Sequence, residues 1–184
     1  RSALQRVIQI LKSHRNNYYA KLKDGKEIKP ISAIITVAVA EIAENYHADC
    51  TVFELLDYAL SELSIYAEHQ RITESDFQRK YGNRNVFSHE EGKWYIENPA
   101  NPGDNLADQW NVDARIPNRF FKWIEIARED IIDSLAQKDD KKFRLILENG
   151  FGDTTVLGFL GEKYCRETVP QQINPQSAAR PYRI

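Results

Sequence analysis

The 184-residue sequence contains no methionine and only two cysteines. Cys50 and Cys165 are too few and too far apart to build a disulfide framework or a thiolate metal cluster, so both read as reduced thiols. No stretch approaches the roughly 20 consecutive apolar residues of a membrane-spanning helix, and the amino terminus has no secretory pattern. A cytoplasmic protein without a membrane partner is expected. There is no internal repeat, and proline gathers at the end: three of the seven prolines fall in the final fifteen residues, with Gln, Ser and Asn between them. That composition predicts a flexible tail over residues 169–184.

Hydrophobic residues make up 42% and charged residues 28% of the chain, the proportions of a folded globular protein long enough to bury a core. The formal charge of −2 hides an asymmetry. Residues 1–29 carry a net +6 and the remainder −8. Positive charge gathered at one end can attract phosphates, whether of nucleotides or of nucleic acid, although from charge alone a solvated basic face is the better explanation.

Leu4, Val7, Ile8, Leu11 and Tyr18 recur at helical spacing, which predicts an amphipathic helix over residues 2–20 with a basic opposite face. Lys23-Asp24-Gly25-Lys26 reads as the loop that ends it. Pro30 is suited to the first turn of a second helix, and the apolar run from Ile31 to Ala43 marks that helix as central and buried. Thr51 is positioned to cap a third helix carrying Leu55, Leu56, Ala59, Leu60 and Leu63, and Thr73 or Ser75 to start a short fourth. Between Asn83 and Asn98, Val86-Phe87 and Trp94-Tyr95-Ile96 flank Glu90-Glu91-Gly92, the pattern of a small hairpin. Pro117 is expected to open a helix to about Gln137, with further helical turns over residues 142–148 and 154–167.

The segment Asn98-Pro99-Ala100-Asn101-Pro102-Gly103-Asp104 has a mechanical meaning. Each proline fixes its own φ and drives its predecessor out of the helical region. Gly103 and Asp104 can then close a turn and cap a helix bearing Leu106, Ala107 and Trp110. With the basic first helix from Arg6 to Arg15, the second helix opening Lys29-Pro30-Ile31-Ser32, and the Phe120-Phe121-Lys122-Trp123-Ile124 start downstream, this corner resembles the carboxy-terminal helical domain of 2'-5' oligoadenylate synthetases. It resembles more closely that of bacterial cGAS/DncV-like nucleotidyltransferases, over about residues 3–150.

Ser32 falls in a first helical turn, where unpaired N–H groups and the helix dipole favour an anion, and a nearby lysine adds a point charge suited to phosphate. The ordinary alternative is a solvated Lys12 and a Ser32 that only caps its helix. In the family resembled, a lysine of the first helix and a serine opening the next bind the donor triphosphate; Lys12 and Ser32 match those positions. Arg15, one turn beyond Lys12, and Lys29 extend the same patch.

The resemblance also implies parts this chain does not carry. Nucleotidyl transfer in that family uses two Mg2+ ions held by an Asp-x-Asp pair and a third carboxylate after a Gly-Ser turn. Here there is no Gly-Ser step, and the one acidic pair two residues apart, Glu74 and Asp76, lies at a helix start. The expectation is therefore a mostly α-helical, bundle-like domain over residues 1–168 with a small β-hairpin. It would be the C-terminal half of a longer polymerase-β-like nucleotidyltransferase, inactive alone, whose N-terminal catalytic α/β domain supplies the Mg2+ site. The parent enzyme would make cyclic or linear oligonucleotide second messengers from nucleoside triphosphates, in the bacterial anti-phage setting the resemblance implies. Its partners would be that catalytic domain and operon-encoded regulatory or conjugation proteins, although Tyr182-Arg183-Ile184 does not end in the small residue conjugation expects.

Two other classes stay in view. A stand-alone helical binding module would use the basic amino-terminal face for nucleic acid or protein. Arg84-Asn85-Val86-Phe87-Ser88-His89 also matches the Arg-Asn-x-x-x-His signature of HEPN ribonucleases, in which arginine and histidine on a long helix cooperate in RNA cleavage. Trp94, Trp110 and Trp123 could stack on bases, but their apolar surroundings point to the core.

Overall fold

A computed structural model of the protein describes residues 2–133. Helix α1 (Ala3–Ala20) starts at a capping box, in which Ser2 Oγ accepts from Gln5 N and the Gln5 side chain accepts from Ser2 N. Its buried face carries Val7, Ile10, Leu11 and Tyr19, and also the polar His14 and Arg15. The loop expected after it contains one helical turn, α2 (Gly25–Ile28). That turn packs directly on the end of α1, because Gly25 has no side chain: a Cβ there would lie 1.8 Å from the Tyr19 carbonyl oxygen.

Pro30 stands ahead of the second long helix and not inside its first turn. Lys29 and Ile31 around it are extended, as the steric demands of proline favour for its predecessor. Helix α3 (Ser32–Glu44) then buries Ile34, Ile35, Ala38, Val39 and Ile42 against α1 and α4. Helix α4 (Val52–Ile65) opens on a second capping box, Thr51 with Glu54, and runs on as a 3-10 segment over Tyr66–Gln70. Thr73 caps the short α5 (Glu74–Tyr81), which ends at Gly82 with φ +72°.

Strands β1 (Ser88–Glu90) and β2 (Lys93–Tyr95) pair antiparallel with His89 opposite Trp94. Glu91 and Gly92 both have positive φ, 51° and 77°, as a two-residue type I′ turn requires. On the other edge of β2, two side-chain amides take the place of a third strand. Trp94 N donates to Asn111 Oδ1 at 2.7 Å, and Asn111 Nδ2 donates back to Trp94 O at 2.9 Å. Asn105 repeats the pattern, accepting from Ile96 N and donating to Trp94 O, each at 2.9 Å.

The proline corner closes as a loop, but Asp104 caps no helix. Its Oδ2 accepts from Asn98 Nδ2 at 2.9 Å and its carbonyl from Asn98 N at 3.1 Å, while Gly103 turns at φ +93°. Helix α6 (Asp108–Val112) follows without a side-chain cap and buries Trp110. Helix α7 (Arg115–Arg128) begins two residues before Pro117, which sits in the first turn, where its missing N–H is tolerated. A π-helical turn, Glu129–Asp133, continues α7.

Helix α7 returns the chain between α1 and α4 and closes the core. Phe87, Trp94, Trp110, Phe120 and Phe121 pack largely edge to face at one end of it. Trp94, Trp110 and Trp123 are all buried, so none offers a face for base stacking. The fold is mostly helical with one small antiparallel hairpin, as the sequence pattern predicts. The helical turns expected beyond residue 133 and the tail lie outside the described residues. No helix among those described is long and apolar enough to cross a membrane.

Candidate functional site

At the junction between α1 and α3 one of the cations singled out in the sequence, Arg15, meets Ser32. Arg15 projects from the buried face of α1 and is 4% exposed. Its Nη1 donates to Pro30 O at 3.0 Å and to Ser32 Oγ at 3.1 Å, so one guanidinium ties α1 to the first residue of α3. Nε and Nη2 both donate to Asn16 Oδ1, at 3.2 and 2.8 Å. Burial lowers the Arg15 pKa from the ordinary arginine value, against an opposing pull from Tyr19.

Lys12, one turn before Arg15 on the same helix, is half-buried, and Lys29, next to Pro30, is exposed. Among the described residues no hydrogen bond or ion pair holds either ammonium. Ser32 is exposed, and its carbonyl accepts from Thr36 Oγ1 at 3.1 Å. Helix α3 has no side-chain cap and no acidic residue in its first turn. The start of α3 thus joins a serine hydroxyl to a buried guanidinium, with Lys29 three residues before Ser32 in the chain and Lys12 one turn before Arg15 on α1. Hydroxyl and cationic side chains are the donor types suited to an anion bearing several oxygens. The structure brings Arg15 and Ser32 into direct contact, and among the described residues no hydrogen bond or ion pair joins Lys12 or Lys29 to either.

Three clefts open elsewhere on the described surface, and none is lined by these four residues. One of about 370 Å³ lies along α7 beside Arg115, Arg119 and Lys122. Its cations already have partners: Arg115 bonds Asp24, Glu27 and Asp113, Arg119 reaches the Tyr18 hydroxyl, and Lys122 pairs with Glu125. Another, about 660 Å³, lies between the end of α4 and α7. A third, about 700 Å³, lies beside the hairpin and is edged by the exposed Tyr95 and Val112.

Among the described residues no three His, Cys, Asp or Glu side chains converge to hold a metal ion. Glu74 accepts from Gln78 Nε2 and from His89 N, and Asp76 pairs with Arg79 at 3.0 Å, so both serve the helix start. The HEPN-like signature lies on a loop and a strand and not on a long helix. Arg84 forms a double contact with Glu62, at 2.8 and 3.2 Å, and also reaches the Tyr81 carbonyl. His89 Nδ1 lies 3.0 Å from the His69 carbonyl.

One polar cluster went unread in the sequence. His14, 1% exposed, receives the Trp123 indole N–H on Nδ1 at 3.0 Å and meets Asp130 Oδ2 through Nε2 at 2.8 Å. The only sequence signal is a histidine within the apolar stripe of α1, three residues after Leu11.

No family model matches the chain. A c-di-GMP synthase of Roseivirga ehrenbergii is 23% identical over 150 residues, which make up 82% of this chain and 34% of that protein. The chain therefore spans about a third of that relative's length. On these grounds the chain is distantly similar to a cyclic dinucleotide synthase.

Proposed function

We propose that this chain is the carboxy-terminal helical part of a nucleotidyltransferase that makes cyclic or linear oligonucleotide second messengers from nucleoside triphosphates, in bacterial anti-phage defence. Its task there is to wall the nucleotide cleft and hold the triphosphate of the donor. The observation that carries this is the junction itself: Arg15 ties Ser32, the first residue of α3, to α1, the helix that carries Lys12 one turn earlier. The distant similarity to a cyclic dinucleotide synthase supports the reaction class.

Ser32 donates one directed hydrogen bond to a phosphate oxygen, and Lys12 and Lys29 supply point charges that follow it. The metal ions of such an enzyme neutralise the triphosphate and activate the attacking hydroxyl. Carboxylates of a catalytic domain beyond these residues would hold them, since the groups around Ser32 are cationic and hydroxylic and fit phosphate.

Titration calorimetry of this chain with ATP and AMP tests the reading. ATP is expected to bind at least about tenfold more tightly than AMP. Lys12→Ala and Ser32→Ala should each weaken ATP by about tenfold without lowering the melting temperature. Full affinity in both variants removes the assignment. The positive charge of residues 1–29 favours one competing reading, a module that tracks nucleic acid. That module would bind a single strand with a steep salt dependence and would not distinguish ATP from AMP.

A further inference from the structure

Among the described residues the Arg15 side chain meets no carboxylate. It is 4% exposed, yet its four hydrogen bonds among the described residues all end on neutral acceptors: Asn16 Oδ1 twice, Pro30 O and Ser32 Oγ. Removing a charge from water without a counter-charge is expensive, which is why buried cations normally have acid partners. Arg84 has one in Glu62, and Arg115 has three. Arg15 instead points its Nη1 at the start of α3, where the helix dipole is also positive. Two positive elements face each other across Ser32, and one bound anion would relieve both.

The geometry adds a direction. Ser32 Oγ accepts from Arg15 Nη1 at 3.1 Å, so its own O–H must point away from the guanidinium. Ser32 is exposed. The arginine therefore sets the serine as a donor toward solvent, where a phosphate oxygen can take the proton in a hydrogen bond.

We infer that Arg15 is a positioning residue for a polyphosphate: it acts through Ser32, fixing the hydroxyl as an outward donor and lending an uncompensated charge to the start of α3. This rests on the triphosphate reading of the same corner. It differs from direct phosphate binding by Arg15, because the guanidinium is committed to the protein.

The test is a double-mutant cycle on the full 184-residue chain, with inorganic tripolyphosphate as the ligand and calorimetry as the readout. Arg15→Met should lower affinity about tenfold in the native background and less than about twofold once Ser32 is alanine, since residues acting as one unit are not additive. Arg15→Lys keeps the charge without the fork, and should lose about as much as Arg15→Met. Asn16→Ala leaves Arg15 in place but frees its Nε and Nη2, and should weaken binding by about threefold at an unchanged melting temperature. If Arg15→Met fails to fold, Arg15→Lys and Asn16→Ala decide on the same criteria.

Equal losses for an Arg15 variant with and without Ser32, or wild-type affinity in Arg15→Lys, overturn the positioning role while leaving the Lys12 and Ser32 assignment intact. If tripolyphosphate does not bind, or binds equally to Lys12→Ala and Ser32→Ala, the triphosphate reading fails and this inference with it.

Discussion

Arg15 and His69 are both buried polar side chains, and burial acts on them in the same direction with different consequences. Burial lowers the pKa of Arg15, but arginine starts so high that it stays charged. His69, 2% exposed, starts at 6.5 and is pushed below it by burial, against the opposing pull of Glu74 and the Phe87 carbonyl. Its Nε2 lies 3.2 Å from Phe87 O, its Nδ1 3.3 Å from Glu74 Oε2, and His89 adds to the downward push. With the folded pKa below 6.5, the unfolded chain takes up this proton first as pH falls. The contribution of His69 is therefore complete above that value and is lost below it. The urea midpoint should fall between about pH 7 and pH 5, and fall less in His69→Gln; equal slopes for the two proteins would count against this account.

Legibility at this scale was uneven. Ser32 could be read as a candidate because a serine after Lys29-Pro30-Ile31 falls at a helix start whatever packs around it. The tie from Arg15 to Ser32 could not, since it depends on how α2 folds the intervening chain back. His14 was hidden for a similar reason: its partners Trp123 and Asp130 lie more than a hundred residues away, and helical spacing says nothing about which polar group meets which.

Short devices hold the elements in place. In α2, Gly25 seats on the Tyr19 carbonyl, and Gly25→Ala would force a methyl group into backbone that cannot rotate aside. A loss of about 1–3 kcal/mol is expected by urea denaturation. Because α2 sets where Ser32 meets Arg15, phosphate affinity should drop along with stability. At the hairpin, Asn111→Ala leaves the buried Trp94 N–H without its acceptor, and a loss of about 1–3 kcal/mol is again expected. Amide exchange should then accelerate in β2 ahead of the helices, because the change removes the edge that Asn111 covers.

The hairpin was readable because Glu91-Gly92 joins two apolar segments by a two-residue turn. The asparagine edge was not, since Asn105 and Asn111 look like loop and helix residues until the chain folds back. The capping boxes at Ser2 and Thr51 follow from local chemistry and emerged where the pattern placed the helices. The misplaced features, Pro30, Asp104 and the start of α7, are boundary details in which a proline or an aspartate had two local roles open and tertiary contacts chose between them.

At the scale of the molecule, the four long helices with apolar stripes and the aromatic cluster among the described residues leave few ways to close a core. This explains why periodicity alone gave a mostly helical fold. Which surface matters did not follow from the fold: the three clefts described line α7 and the hairpin, and none includes Arg15 or Ser32. A ligand held at Ser32 stabilises the whole domain by linkage. At a concentration about 100 times its dissociation constant, ATP should add about 2.7 kcal/mol, seen as a higher melting temperature. That shift should vanish in the Lys12→Ala, Ser32→Ala double variant.

The indole of Trp123 sits where α1 and α7 meet, 0% exposed and donating to His14. Its proton is therefore shielded from solvent by the same packing that holds the first helix to the last of those described. In a proton spectrum it should give a separate indole resonance that survives transfer to deuterium oxide while peripheral amide signals fade. Its rate of disappearance then reports directly on how often the seam between α1 and α7 opens.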